Sequence, residues 1–206
     1  MNEFQVIEIL SKNFKFTDFQ IKKLKEFVKL LLVFNKRYNL ISKNTENSVW
    51  HRHILDSAQI INFFDKKNIS IADFGSGAGF PGVILAIYGG NHAFHVKLYE
   101  KSPVKRIFLE KARKTLGLKY DIYKNVYDNV IDADIVVARA FKKLEEIIQI
   151  SREKMVKNHK ILILKGKNAQ TEINNVSLES NYSYKLFDSI TDVNSKVVLL
   201  NVKKNG

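Results

Sequence analysis

The spacing of apolar positions changes near residue 69. Ahead of that point, Leu24, Phe27, Val28, Leu31, Phe34 and Tyr38 recur every three or four residues, which places them on one face of a helix. Trp50, His53, Ile54, Ser57, Ile61 and Phe64 predict a second helix, with residues 39–47 as a polar connection. Beyond it, short apolar runs alternate with helical ones. Strands are expected at 69–74, 94–100, 120–123, 135–138 and 161–164. Helices are expected at 80–88, stopped by Gly89 and Gly90, and at 144–154. Ser102 and Pro103 open another, as N-cap and first helical residue, and Gly117 closes it. Residues 182–190 and 196–203 read as a closing antiparallel pair. Strands interleaved with helices imply a mainly parallel sheet covered on both faces. The expected architecture is α/β: an N-terminal helical cap over residues 1–66, then an open α/β domain over 67–206.

Composition narrows the chemistry. The chain has 206 residues and no cysteine, which excludes disulfides, thiolate metal sites and a cysteine nucleophile. No apolar run approaches the ~20 residues that cross a bilayer, and MNEFQVIEIL has neither a basic stretch ahead of an apolar core nor a small-residue cleavage site, so export is not expected. A cytoplasmic protein without membrane contact is expected. The formal net charge of +13 suits a polyanionic partner, and equally suits a lysine-rich composition throughout. Lys97, Lys101, Lys105, Arg106, Lys111, Arg113, Lys114, Lys119 and Lys124 outnumber Glu100, Glu110 and Asp121 in one stretch. That cluster suggests a nucleic-acid face.

The strongest local signal runs from Asp73 to Gly82, DFGSGAGFPG, between the first predicted strand and its helix. Glycines allow a sharp turn and close approach to a ligand, and open α/β sheets bind ligands at this edge. Three readings are open: a dinucleotide site, since GAGFPG matches G-x-G-x-x-G; an S-adenosylmethionine site; and a structural turn. Asp73, two residues before Gly75, fits the acidic-x-Gly-x-Gly-x-Gly form of the methyl-donor loop. Glu100 ends the second predicted strand, where a carboxylate accepts ribose hydroxyls of either cofactor.

Several separate motifs resemble one family. Tyr38-Asn39-Leu40, Arg52-His53-Ile54-Leu55-Asp56-Ser57, the Asp73 to Gly82 loop, Lys105-Arg106, Arg139-Ala140-Phe141 and Leu164-Lys165-Gly166 follow one another in an order similar to that of the bacterial small-subunit rRNA methyltransferase G family, also called glucose-inhibited division protein B. The resemblance implies a Rossmann-like class I methyltransferase fold, S-adenosylmethionine as cofactor, and 16S rRNA or the 30S subunit as substrate, with 7-methylguanosine as product. The cofactor contacts it implies are Gly75, Phe80, Val126, Tyr127 and Arg139, the last near the methionyl end or the incoming RNA, and the loop and strand-end pattern adds Asp73, Gly77 and Glu100 to the expected cofactor contacts. Arg52, His53, Lys105, Arg106, Arg113 and Lys165 are the expected RNA contacts. Phe80 stands where an aliphatic residue is typical, and Ala78 where proline is common.

The chemistry agrees with the composition. Guanine N7 has an exposed lone pair and no proton, so in-line attack on a sulfonium methyl needs neither a covalent nucleophile nor a general base. No catalytic acid or base is therefore assigned, and positioning is expected to dominate. Phe80 or Phe141 is expected to offer a base-stacking surface. Asp56 is expected to pair with His53 or Arg52. His51 and His53 lie two apart on a predicted helix and face different sides, so no metal site is expected. Two other readings stay open: an RNA-binding protein without turnover, and a small NAD(P)-dependent oxidoreductase.

Overall fold

Alternate residues of the central strands face opposite sides, as a pleated strand requires, and both sides are apolar. Ile71 of β1 (Ser70–Phe74), Val96 and Leu98 of β2 (His95–Tyr99), and Ile135 and Val137 of β4 (Ile135–Arg139) belong to one buried cluster. Ala72, Phe74, Val136 and Ala138 belong to a second. β3 (Asp121–Tyr123) and β5 (His159–Lys165) extend the parallel sheet. β7 (Lys196–Val202) pairs antiparallel with β5, and β6 (Tyr182–Asp188) antiparallel with β7. The strand order is β3-β2-β1-β4-β5-β7-β6. The computed structural model describes residues 1–64, 69–90, 94–176 and 182–204.

Helices cover both faces, as a sheet buried on two sides demands. α4 (Gly82–Gly89) and α5 (Pro103–Leu116) contribute Val83, Ile84, Phe108 and Leu109 to the first cluster. α6 (Leu144–Lys154) and α7 (Ala169–Asn174) contribute Leu144, Ile147 and Ile173 to the second. α7 lies in a stretch for which the sequence predicts no element. The helix expected at 80–88 starts instead at Gly82, because the glycine loop continues through Pro81.

The N-terminal helices are set by their caps. Asn2 and Gln5 form a capping box on α1 (Glu3–Phe14), and Thr17 and Gln20 form another on α2 (Asp18–Tyr38). Val6 and Leu10 of α1 and Leu24, Phe27 and Leu31 of α2 are fully buried in the same cluster as Ile71 and Leu98. The first-face helices thus share the sheet's core. The expected division between residues 66 and 67 lies outside the described residues.

The helix expected from Trp50 is not regular. A 3-10 helix over Lys43–Ser48 occupies part of the expected polar connection. A π-helical turn over Trp50–Leu55, α3 (Asp56–Ala58) and a 3-10 helix over Gln59–Phe63 follow. The apolar spacing there tolerates all three windings, since Trp50, Ile54 and Ile61 remain buried. The π turn aims Arg52 and His53 toward the carboxyl end of the sheet, where they join one cleft.

Candidate active site

β1 leads on one side to β2 and β3, while β4 returns on β1's other side. The strand order therefore reverses between β1 and β4, and ligands of open α/β sheets bind at that point. A cleft of about 960 Å3 opens there, the size of a small-molecule site. Gly75 to Ala78 and Phe80 form one wall, Tyr99 to Lys101 another, and Lys124 to Tyr127 a third. Arg52, His53, Asp56 and Arg139 to Lys142 close it on the side of the N-terminal segment.

The loop is folded by its own backbone. The Gly75 and Ser76 N–H groups both donate to the Tyr99 carbonyl, at 2.9 and 3.0 Å. Gly75 has φ +72°, and a Cβ there would come within 2.2 Å of Phe141 Cδ2. No other residue fits without displacing that ring. Phe141 reaches Gly75 because Ala140 adopts φ +49°, a left-handed conformation costing an L-residue about 1–3 kcal/mol. Glu100 ties the loop to α5: its Oε2 accepts from the Gly77 N–H at 2.8 Å and its Oε1 from the Ser102 N–H at 2.7 Å.

Asp73 lies beneath the loop and is not among the cleft-lining residues. It is fully buried, its Oδ2 accepting from the Gly82 N–H at 2.9 Å, while Oδ1 has no partner among the described residues. Burial pushes its carboxyl up to about 7, against the opposing pull of the Gly82 N–H. It braces the turn from below, whereas the sequence expectation set it among the cofactor contacts.

Gly75, Gly77, Phe80, Glu100, Val126, Tyr127 and Arg139 all line the cleft. Phe80 does so without a free face. Its ring is 3% exposed, stacked with His53 at 4.9 Å, met edge-on by Phe27 at 5.7 Å and covered by the Arg139 guanidinium at 5.0 Å. It is a packed residue rather than a surface for an incoming base. Phe141 is half-buried over Gly75.

Arg139 is the most constrained cation of the cleft. Nη1 donates to the Arg52 carbonyl at 2.9 Å and to Asp56 Oδ2 at 3.4 Å; Nη2 donates to His53 Nδ1 at 2.8 Å. Burial lowers its pKa, opposed by Asp56. His53 Nε2 lies 2.9 Å from Thr45 Oγ1, whose hydroxyl donates to the Ser42 carbonyl. Burial, then the Arg139 charge, holds His53 down to about 3. Asp56 pairs with neither His53 nor Arg52. Its Oδ1 accepts from Thr191 Oγ1 at 2.7 Å and Gln59 Nε2 at 2.9 Å, because Arg139 and the β6–β7 loop stand closer.

The expected RNA contacts separate. Arg52, His53, Lys105 and Lys165 line the cleft, but Lys165 is engaged with Glu172 at 2.7 Å and the Lys142 carbonyl at 2.8 Å. Arg106 donates to the Glu100 and Lys101 carbonyls at 2.8 and 2.7 Å, supporting the Glu100 turn. Arg113 sits at the far end of α5, bound to Glu110 and the Tyr120 carbonyl, away from the cleft. Sequence reasoning passes over Thr45, Gln59, Ser189 and Thr191, which neighbouring residues do not mark: Thr191 meets Asp56 from 135 positions away.

The fold and cleft define a Rossmann-like α/β protein of the methyltransferase kind. Solved structures with this architecture include an S-adenosylmethionine-dependent methyltransferase from Aquifex aeolicus, with TM-score 0.57 and 13% identity over 72% of this chain and 89% of that one. A ribosomal protein L11 methylase from Lactobacillus delbrueckii subsp. bulgaricus matches with TM-score 0.55 and 17% identity over 73% and 77%. Both likenesses are of fold alone. Residues 20–198 match the family described as rRNA small subunit methyltransferase G. Relatives of that name from Orientia tsutsugamushi strain Boryong and Rickettsia akari are 37% and 41% identical, over 96% and 86% of this chain and 98% and 92% of their own lengths. The chain belongs to the rRNA small subunit methyltransferase G family.

Proposed function

We propose that the protein transfers the methyl group of S-adenosylmethionine to N7 of a guanine in 16S rRNA, on the rRNA or the 30S subunit, giving 7-methylguanosine. The observation that carries this reading is the assembly of the glycine loop, the Glu100 carboxylate and the Val126–Tyr127 segment around one cleft with a cationic rim. The residues fit the donor. Glu100 stays buried at the end of β2 with lone pairs beyond those used by Gly77 and Ser102, as a ribose diol requires. A Cβ built at Gly77 meets only the Gly75 carbonyl, at 3.8 Å, so the loop surface is open to close approach. Val126 and Tyr127 line the same cleft, and this segment is our candidate for the adenine edge. When bound, S-adenosylmethionine supplies a methyl group activated by its sulfonium charge.

The chain's own part is positioning. Holding N7 in line with that methyl is worth up to ~7–11 kcal/mol, and no side chain needs to move a proton. Lys101, Lys105 and Lys124 line the cleft with ammonium groups unpaired among the described residues, and suit phosphates of a single-stranded loop whose guanine is splayed out. Nucleoside analysis of 16S rRNA from particles lacking the modification, after incubation with the protein and labelled S-adenosylmethionine, tests the reading. Label in 7-methylguanosine is expected. Absence of transfer, or label in another nucleoside, overturns it.

A further inference from the structure

The cleft contains a relay whose direction is set by donor and acceptor chemistry. A guanidinium has N–H donors and no acceptor, so the 2.8 Å contact between Arg139 Nη2 and His53 Nδ1 requires Nδ1 to be unprotonated. The ring proton then sits on Nε2 and points to Thr45 Oγ1 at 2.9 Å. That oxygen is free to accept, because its own proton goes to the Ser42 carbonyl at 2.8 Å. One tautomer satisfies every partner.

Phe80 completes the arrangement. His53 stacks on it with an interplanar angle of 21°, and the Arg139 guanidinium lies 5.0 Å from its centroid. Two groups in hydrogen-bond contact cannot straddle a ring, so both rest on the same side. This platform is aromatic at a position where the family resemblance leads one to expect an aliphatic side chain. Arg139 Nε, by contrast, has no partner among the described residues, and the side chain lines the cleft. The guanidinium is therefore anchored through its Nη atoms and keeps a donor available.

We propose that His53 is a positioning residue: by accepting from Arg139 Nη2 while stacked on Phe80, it sets how the guanidinium faces the reacting groups. The proposal rests on the methyltransferase reading above. A misplacement of about 1 Å costs roughly 10²-fold in rate, so removal of the anchor should act on turnover more than on donor binding.

Three variants separate the parts. His53→Phe keeps a ring on Phe80 and removes the acceptor; His53→Asn restores an acceptor near the Nδ1 position without the ring; Phe80→Leu removes the platform. With wild-type protein, 30S particles and labelled donor as reference, His53→Phe should lower kcat about 10- to 100-fold, with S-adenosylhomocysteine affinity changed less than about threefold. His53→Asn should recover most of that activity, and Phe80→Leu should fall between. An independent readout needs no substrate: two-bond 1H–15N spectra of the free protein should show His53 protonated only at Nε2 from pH 5 to 8. An Nδ1–H tautomer, His53→Phe at wild-type kcat, or His53→Asn no better than His53→Phe would overturn the proposal. A wild-type protein that binds the donor but methylates no RNA would instead remove the reading on which it stands.

Discussion

Asp73 shows how one buried group can shape both a loop and a pH response. Its carboxyl sits at about 7, and burial is the leading cause. In the unfolded chain it ionises in the ordinary carboxylate range, near 3.8. Between those values the folded state holds a proton that the unfolded state has released, so Asp73's contribution to stability falls as pH rises from about 4 to 7. Asp73→Asn abolishes this titration while keeping an acceptor for Gly82. Thermal unfolding should therefore show the variant gaining on wild type between pH 5 and 8 by about 1 kcal/mol or more, roughly 2–4 °C. A gap that does not move with pH would place the charge elsewhere. Asp73 also marks a limit of sequence reading: an acidic residue before Gly75 is visible in the chain, but whether it faces the ligand or the floor of the loop depends on packing. The same holds for Arg106, Arg113 and Lys165, whose charges are legible and whose partners Glu100, Glu110 and Glu172 are not.

At the level of elements, the irregular helical segment and the β6–β7 loop are held together by Gln59. Its Oε1 accepts from the Ile190 N–H at 3.0 Å, and its Nε2 donates to Ser189 Oγ at 3.1 Å and to Asp56 Oδ1 at 2.9 Å. Gln59 is 4% exposed, so truncation leaves buried groups unsatisfied. Gln59→Ala should cost about 1–3 kcal/mol by chemical denaturation and speed amide exchange at Ile190. Unchanged protection there would show that the loop is held by other contacts. The strands around this seam are legible in the sequence, because period-two alternation and glycine punctuation depend on neighbours in the chain. The π turn is not, since apolar residues three to five apart suit several helical windings. Nor is the Gln59 clamp, which joins segments separated by 131 positions.

For the whole molecule, the net charge of +13 becomes specific where cations are unpaired among the described residues and line the cleft. Lys105 and Lys124 meet both conditions, whereas Arg106 is spent on the Glu100 turn. Charge reversal at Lys105 and Lys124 should weaken RNA binding and flatten the dependence of log affinity on log salt by about 0.7 for each phosphate no longer neutralised. Reversal at Arg113, bound to Glu110 and remote from the cleft, should leave that slope unchanged. Equal effects at both places would indicate diffuse attraction over the surface. The cleft between the glycine loop and Glu100 is expected to receive the methyl donor. Calorimetric titration with S-adenosylhomocysteine tests it most directly. One site per chain is expected in the wild-type protein, with an affinity at least about tenfold lower, or abolished, in Glu100→Gln, where a charged hydrogen bond worth about 1.5–3 kcal/mol is weakened. Absence of binding by the wild type, or equal binding by the variant, would contradict it.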